Sequence, residues 1–228
     1  MVKDLFGSYN IRARLSVYVI IITPIIVSVY IYYPPIRNLG ASTILLIALA
    51  AFSNYFLVLL RHLVNNHYYA DTAATFLYPE DTHLSAETKQ RYYCKLSDIN
   101  DSFAALKSAS DSDEFKACCS SAVNWLKNNN RDNKLVNEEG ILYGFINNLL
   151  NMKRVGFFLL SISVLIQVFF IYNNIESLGS LFHNSQHVVS LLMDLALALF
   201  WLFGVNKRIC KDAAEKYAYT LLSTIDIL

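Results

Sequence analysis

Four long apolar segments constrain this chain more than any other feature of its sequence. They run from Leu15 to Tyr33, Ser42 to Leu60, Val155 to Tyr172 and Val188 to Val205. A helix needs about 20 largely apolar residues to cross a bilayer, and it bonds its own backbone amides while doing so. Only 16% of the residues are charged, against roughly a quarter in an ordinary soluble domain. The sequence therefore predicts an all-α integral membrane protein with four transmembrane helices.

The distribution of basic residues predicts the orientation of these helices. The two short connectors, residues 34–41 and 173–187, contain a single basic residue, Arg37, of the 19 Lys and Arg in the chain. Cytoplasmic segments carry the excess of Lys and Arg in membrane proteins. Both termini and the long middle segment are therefore expected in the cytoplasm.

This topology divides the chain into five parts. They are a cytoplasmic N-terminal segment (1–14), a first transmembrane pair (15–61), a cytoplasmic helical domain (62–153), a second transmembrane pair (154–206) and a cytoplasmic C-terminal helix (207–228). In the middle part, apolar residues recur at alternating spacings of four and three, which predicts an amphipathic helix with a heptad-like stripe. The stripe consists of Tyr92, Leu96, Ile99, Phe103 and Leu106. Asp111 with Glu114 predicts a capping box at the start of the next helix.

Polar residues within the apolar segments point to a site inside the membrane. Asp194 lies well within the fourth segment, where a carboxylate costs roughly 2.5 to 3.5 kcal/mol on insertion scales. Counted by helical rise, Gln167 reaches about the same depth from the opposite side. Two explanations remain open: an oligomeric pore with an acidic ring that favours cations, or hydrogen bonding between helices as packing. The predicted pore-lining residues are Asp194, Gln167, Ser163, Ser190 and Asn54.

Basic and aromatic residues near the predicted cytoplasmic surface also allow two interpretations. They enforce the topology and contact anionic lipid, or they form a collar that binds a nucleotide or single-stranded nucleic acid by charge and stacking. The candidate ligand-binding residues are Arg12, Arg14, Lys153, Arg154, Lys207, Arg208, Lys211, Tyr69 and Tyr92.

Motifs of enzymes and metal proteins are absent from the sequence. It contains no G-x-x-x-x-G-K-[ST], H-E-x-x-H or G-x-S-x-G motif, and its four cysteines have no histidine at metal-ligand spacing. We therefore expect no catalytic residues, no bound metal and no cofactor.

The layout resembles small bacterial membrane effectors of anti-phage defence, the SLATT-like group, and in particular the channel effector of Hailong systems. The resemblance rests on the paired spans, the helical cytoplasmic part and segments such as NNHYYADTAATFL (65–77) and KDAAEKYAYTLL (211–222). It implies an effector channel in the bacterial inner membrane. Such a channel disrupts the membrane potential when a partner nucleotidyltransferase makes a nucleotide or DNA oligomer signal.

Taken together, the sequence predicts an oligomeric ion channel, with a tetramer as the expected assembly. It would conduct cations past Asp194 and Gln167 and respond to a cytoplasmic nucleotide or nucleic-acid signal. The alternative is a non-conducting membrane scaffold or sensor whose cytoplasmic helices recruit a partner. The two differ in whether Asp194 faces water.

Overall fold

The computed structural model describes residues 10–33, 67–108, 112–174 and 185–227, with isolated positions between 35 and 56. Within these ranges every regular element is a helix, and none is a strand. The α-helices are α1 (Ser16–Tyr32), α2 (Thr72–Thr75), α3 (Ala86–Ile99), α4 (Asp113–Asn129), α5 (Lys134–Asn174), α6 (Ser185–Leu199) and α7 (Lys207–Ser223). π-Helical turns occupy Asn10–Leu15 and Phe200–Gly204, and 3₁₀ segments occupy Asp101–Ser108 and Thr224–Ile227.

Three of the described helices are long and apolar enough to cross a membrane. They lie within Arg12–Tyr32, Lys134–Asn173 and His187–Gly204. The helical class and membrane-length helices at the first, third and fourth predicted spans are thereby confirmed. Most of the second predicted span, including Asn54, lies outside the described residues.

The chain forms two compact units. The first, here called the span unit, comprises Met1–Asn66 and Phe145–Lys207. The second, the polar-surface unit, comprises His67–Gly144 and Arg208–Leu228. The polar-surface unit thus contains the C-terminal helix, which the sequence-based division set apart from the middle domain.

The core of the polar-surface unit is apolar and closed by its C-terminus. Phe115 and Leu126 of α4 are fully buried there, as is Leu221 of α7. The Lys95 ammonium donates to the carbonyls of Ile225 and Asp226 at 3.1 and 2.8 Å. These bonds satisfy carbonyls that the end of a helix leaves without intrahelical partners.

The predicted apolar stripe is buried at four of its five positions. Ile99 is 42% exposed, whereas Tyr92, Leu96, Phe103 and Leu106 are buried. The reason is a break in the helix: α3 ends at Ile99, Asn100 is extended, and the chain continues in the tighter 3₁₀ form from Asp101. A single α-helical periodicity therefore does not continue across this break.

Serine hydroxyls cap the two helices of this region. Ser85 Oγ accepts the backbone N–H of Thr88, and Ser112 Oγ accepts that of Phe115, both at 3.2 Å. Each bond satisfies one of the N–H groups left free by the first helical turn. The N-cap of α4 is Ser112, while the predicted capping residue Asp111 lies outside the described residues.

The span unit has its own apolar core, built by a close helix contact. Trp201 is fully buried against Gly156 of α5, and a Cβ added at Gly156 would lie 2.4 Å from the Trp201 ring. Glycine is therefore required for these two helices to pack at this distance. The outward-facing residues of the same helices are largely apolar, with Phe158, Leu165 and Phe203 each more than 60% exposed.

Candidate functional site: a buried polar cluster among apolar helices

Four polar side chains from three membrane-length helices meet in the interior of the span unit. Ser28 comes from α1, Ser163 and Gln167 come from α5, and Asp194 comes from α6. The first three are fully buried and Asp194 is 5% exposed. We call this group the Asp194 cluster.

The cluster is connected by short contacts. Gln167 Nε2 lies 2.6 Å from Asp194 Oδ2 and 3.0 Å from Ser28 Oγ. Ser163 Oγ lies 3.1 Å from Asp194 Oδ2 and 2.7 Å from Ser28 Oγ. Gln167 and Asp194, which helical rise predicts to meet, are within hydrogen-bonding distance of each other.

Ser163 and Gln167 face the cluster together because they are one helical turn apart on α5. The same spacing relates Pro24 to Ser28 on α1. Pro24 has no backbone N–H, so it cannot donate the helical bond that another residue would make here. Its carbonyl oxygen lies 3.1 Å from Ser163 Oγ, which adds a backbone oxygen to the cluster.

One atom of the cluster, Gln167 Oε1, is fully buried and has no hydrogen-bond partner among the described residues. A buried polar atom without a partner costs roughly 1 to 3 kcal/mol. The cluster therefore retains an unsatisfied acceptor beside a carboxylate.

An aromatic stack lies near the end of α1 and the beginning of α6. The ring of Tyr32 stacks on Phe170 at 5.3 Å and on His187 at 5.2 Å between centroids. The Tyr32 hydroxyl and His187 Nδ1 are 3.0 Å apart. His187, Ser190 and Asp194 occupy the same face of the helix, as the spacing of three and four predicts.

The predicted pore-lining residues fall into two groups. Asp194, Gln167 and Ser163 are brought into direct contact, and Ser190 is buried one turn from Asp194. Asn54 lies outside the described residues. Contacts made within one chain account for the burial of the first three, and the acidic ring of an oligomeric pore stays a prediction.

One member of the cluster was missed by the sequence analysis. Ser28 is flanked by apolar residues on both sides in the sequence, and a serine in such a helix is commonly accommodated by a bond to its own backbone. The available signal was its position one turn after Pro24, which places both on one face of α1. Only the packing of α1 on α5 shows that this face meets Ser163 and Gln167.

The candidate ligand-binding residues of the span unit differ in exposure and in the contacts that they already make. Lys153 is engaged: its ammonium donates to the carbonyl of Val205 at 2.7 Å, at the end of the fourth apolar segment. A cation at the C-terminal end of a helix satisfies free carbonyls and the helix dipole. Arg12, Arg154 and Lys207 are exposed, and Arg14 is partly buried.

The candidates in the polar-surface unit also divide. Tyr92 is buried, and its hydroxyl donates to Asp226 at 3.3 Å, so its ring is not free to stack on a base. Tyr69 is 38% exposed and has a positive φ of 61°. Arg208 and Lys211 are exposed, and Lys211 forms an ion pair with Glu215 at 3.5 Å.

No group of three or more His, Cys, Asp or Glu side chains in the described ranges is arranged to hold a metal ion. The polar cluster has a single carboxylate and draws its other oxygens from serine, glutamine and the backbone. Such oxygen donors suit hard cations more than transition metals.

Comparisons with known proteins return no relative: no family model, no curated protein and no solved structure matches this chain.

Proposed function

We propose that this protein is an integral membrane ion channel that conducts cations as a homo-oligomer in the bacterial inner membrane. One observation carries the proposal: a carboxylate, Asp194, lies buried among three apolar helices, bonded to Gln167 and close to Ser163. Ionisable groups within membrane segments are costly and commonly mark ion pathways. The proposed protein has four spans with both termini in the cytoplasm.

Conduction requires water to reach the Asp194 cluster. In the arrangement described here the carboxylate is almost fully enclosed, so this arrangement corresponds to a closed channel. Opening separates α1 from α5 at the contact between Ser28 and Ser163, where Pro24 already interrupts the hydrogen bonding of α1. A proline within a helix is a common point of bending. Asp194 then attracts cations to the path, and equivalent residues of neighbouring subunits multiply its effect.

The proposed opening signal is a nucleotide or short single-stranded DNA made by a partner nucleotidyltransferase, with membrane depolarisation as the anti-phage outcome. This part of the proposal rests on the resemblance to Hailong-type effectors. Exposed cations on the span unit, such as Arg12 and Arg154, are available for phosphate contacts. A binding assay with short DNA at two salt concentrations tests it, because phosphate contacts weaken as salt rises.

The conducting role is tested by single-channel recording in planar bilayers. Wild type, Asp194→Asn and Asp98→Asn are compared with and without candidate nucleotides and short DNA. We expect cation-selective current in wild type and a loss of cation preference in Asp194→Asn. Asp98→Asn is the matched control, because it removes one carboxylate from an exposed ion pair with Lys107. Equal selectivity in all three proteins would remove Asp194 from the pathway.

The enclosure of Asp194 also favours a second candidate, a non-conducting scaffold or sensor. Gln167 donates to the carboxylate within the same chain, as expected for polar residues that hold helices together. A scaffold has no current under any ligand condition, and Asp194→Asn then changes only the stability of the span unit. Silent bilayers containing purified protein bound to its DNA ligand would support this candidate over the channel.

A further inference from the structure

We infer that the Asp194 cluster is a binding site for a small monovalent cation, with sodium as the ion that fits best. The inference deepens the proposed function, since it names the ion for the same residues and rests on them being part of a cation pathway. Its physical basis is that the cluster contains more closely spaced acceptor oxygens than donor hydrogens.

The Ser163 hydroxyl shows this shortage directly. It has one hydrogen but lies 2.7 Å from Ser28 Oγ, 3.1 Å from the Pro24 carbonyl, and 3.1 and 3.4 Å from the two Asp194 oxygens. Ser28 can supply the hydrogen for its own contact with Ser163, which leaves the single Ser163 hydrogen for three oxygens, one of Pro24 and two of Asp194. A cation among them would offer favourable electrostatic interactions to all of the oxygens at once.

Gln167 provides the second observation. Its amide nitrogen lies within 3.3 Å of three oxygens, from Asp194, Ser28 and Ser163, although it carries two hydrogens. Its amide oxygen is buried without a partner. Rotation of the amide about its terminal bond would bring this oxygen among the others, where it would serve as a further ligand instead of an unsatisfied acceptor.

Spacing and charge select the ion. Ions that bind oxygen at roughly 2.3 to 2.6 Å, as calcium does, place adjacent octahedral ligands about 3.3 to 3.7 Å apart. The oxygens of Ser28, Pro24 and Asp194 already lie 2.7 to 3.4 Å from Ser163 Oγ, so these pairs need little expansion to share such an ion. Asp194 is the only carboxylate in the cluster, so it balances one positive charge; a divalent ion would leave uncompensated charge in an apolar interior. Sodium has nearly the radius of calcium with half its charge.

The test measures binding by its effect on unfolding and uses no current. The full-length protein in detergent is heated in sodium, potassium or N-methyl-D-glucamine chloride at equal ionic strength, with Trp125→Phe leaving Trp201 as the reporter. We expect sodium at ten times its dissociation constant to raise the midpoint by roughly 3 to 6 °C over N-methyl-D-glucamine, and potassium to raise it less. Equal midpoints in the three salts would overturn the inference.

Variants separate the site from a general salt effect. Asp194→Asn keeps the size of the side chain but removes the charge, and the sodium shift should disappear. Ser163→Ala, which removes one ligand oxygen, should weaken sodium binding by several-fold without abolishing it. Ser161→Ala is the matched control on the same helix, because Ser161 is exposed and bonds only to the Phe157 carbonyl among the described contacts. A sodium shift that persists in Asp194→Asn would also overturn the inference.

If Asp194→Asn does not fold, ²³Na NMR linewidths of wild type and Ser163→Ala give the answer: broadening that falls in the variant supports the site, and equal linewidths contradict it. A midpoint that follows pH but not sodium would identify a proton as the ligand and overturn the sodium site. If sodium raises the unfolding midpoint but bilayer recordings show no current, the sodium site stands and the channel is rejected. If the recordings show cation-selective current but sodium does not raise the midpoint, the channel stands and the sodium site is rejected.

Discussion

Both units of this protein bury an apolar core, but they differ in the side chains that they expose and in the polar groups that they bury. The polar-surface unit buries an apolar core around Phe115 and Leu126 and exposes mostly charged and polar residues. The span unit exposes large apolar residues such as Phe169 and Leu165, while its interior contains the hydrogen-bonded Asp194 cluster. Helices of one chain thus expose polar side chains in one unit and apolar side chains in the other.

This difference shows that burial alone does not reveal how a residue stabilises the fold. In water, an apolar side chain gains free energy by leaving the solvent. In a bilayer that driving force is absent between helices, and close packing and polar contacts hold them together. Phe115 and Ser163 are both fully buried, yet we expect the first to stabilise through its apolar area and the second through its polar contacts.

The two tryptophans allow each unit to be followed separately. Trp125 packs edge-on against Phe103 in the polar-surface unit, and Trp201 is buried in the span unit. A Trp201→Phe background therefore reports the first unit by fluorescence, and a Trp125→Phe background reports the second. The predictions below use these two backgrounds, from the largest expected effect to the smallest.

Truncating a phenylalanine should destabilise the two units to very different extents. We expect Phe115→Ala to lower the free energy of unfolding of the polar-surface unit by about 3 to 5 kcal/mol, because it leaves a cavity in a closed core. Phe169→Ala should cost the span unit less than about 1 kcal/mol, since Phe169 is 63% exposed and exchanges contact with detergent or lipid. Denaturant titration in each background measures both. A large loss for Phe169→Ala would instead indicate that a neighbouring subunit covers it.

Adding a methyl group at the helix contact tests the close-packing half of the comparison. Gly156→Ala should destabilise the span unit by about 1 to 3 kcal/mol, because the new Cβ would overlap the buried Trp201 ring. Gly40→Ala is the control, since no atom of the described residues lies within 4 Å of a Cβ there. Denaturant unfolding of the protein in detergent, followed by the fluorescence of Trp201, measures the loss. Wild-type stability in Gly156→Ala would show that the two helices can separate without cost.

Alkaline pH should weaken the polar-surface unit. Burial raises the pKa of Tyr93 from 10.0 to about 12 and that of Cys119 from 9.0 to about 12. The folded state therefore holds these protons more tightly than the unfolded state. The resulting stability is complete below about pH 9 and is lost as the pH rises towards 12. Trp125-monitored denaturant midpoints between about pH 8 and 11 measure it, with a fall in the free energy of unfolding of about 2 to 4 kcal/mol expected by pH 11, the lower figure allowing for solvent screening.

Substitution of the titrating groups provides the control for this pH dependence. Cys119→Ala should flatten the fall in stability, because it removes the thiol that ionises first in the unfolded chain. Cys94→Ala is the comparison, since Cys94 is exposed. If both variants keep the wild-type slope, Cys119 does not contribute to the alkaline loss.

Much of the fold follows from local sequence patterns. Apolar runs of sufficient length predict membrane-length helices regardless of their partners, and three of the four predicted runs lie in such helices. Asp194 lies within one of them, and the free-energy cost of a carboxylate in a membrane segment is enough to predict a polar site there. Helical spacing also places Ser190 and Asp194 on one face without any tertiary information.

Other features depend on contacts between segments far apart in the chain. Ser28 joins the cluster only because α1 packs on α5, and Lys153 is engaged only because the carbonyl of Val205 lies within its reach. Tyr92, which the apolar stripe predicts to be buried, is withdrawn from the ligand candidates because it packs in the core and its hydroxyl donates to Asp226. Sequence patterns left Ser28 out and placed Lys153 among the ligand candidates, since periodicity describes one helix at a time.

The sequence by itself determined that this chain forms apolar helices of membrane length and that a carboxylate lies within one of them. Both properties follow from the transfer free energies of consecutive side chains, which are local quantities. Tertiary structure decided what the carboxylate meets, because hydrogen bonds such as that from Gln167 to Asp194 depend on the approach of separate helices within tenths of an ångström. It also decided that the C-terminal helix completes the core of the polar-surface unit.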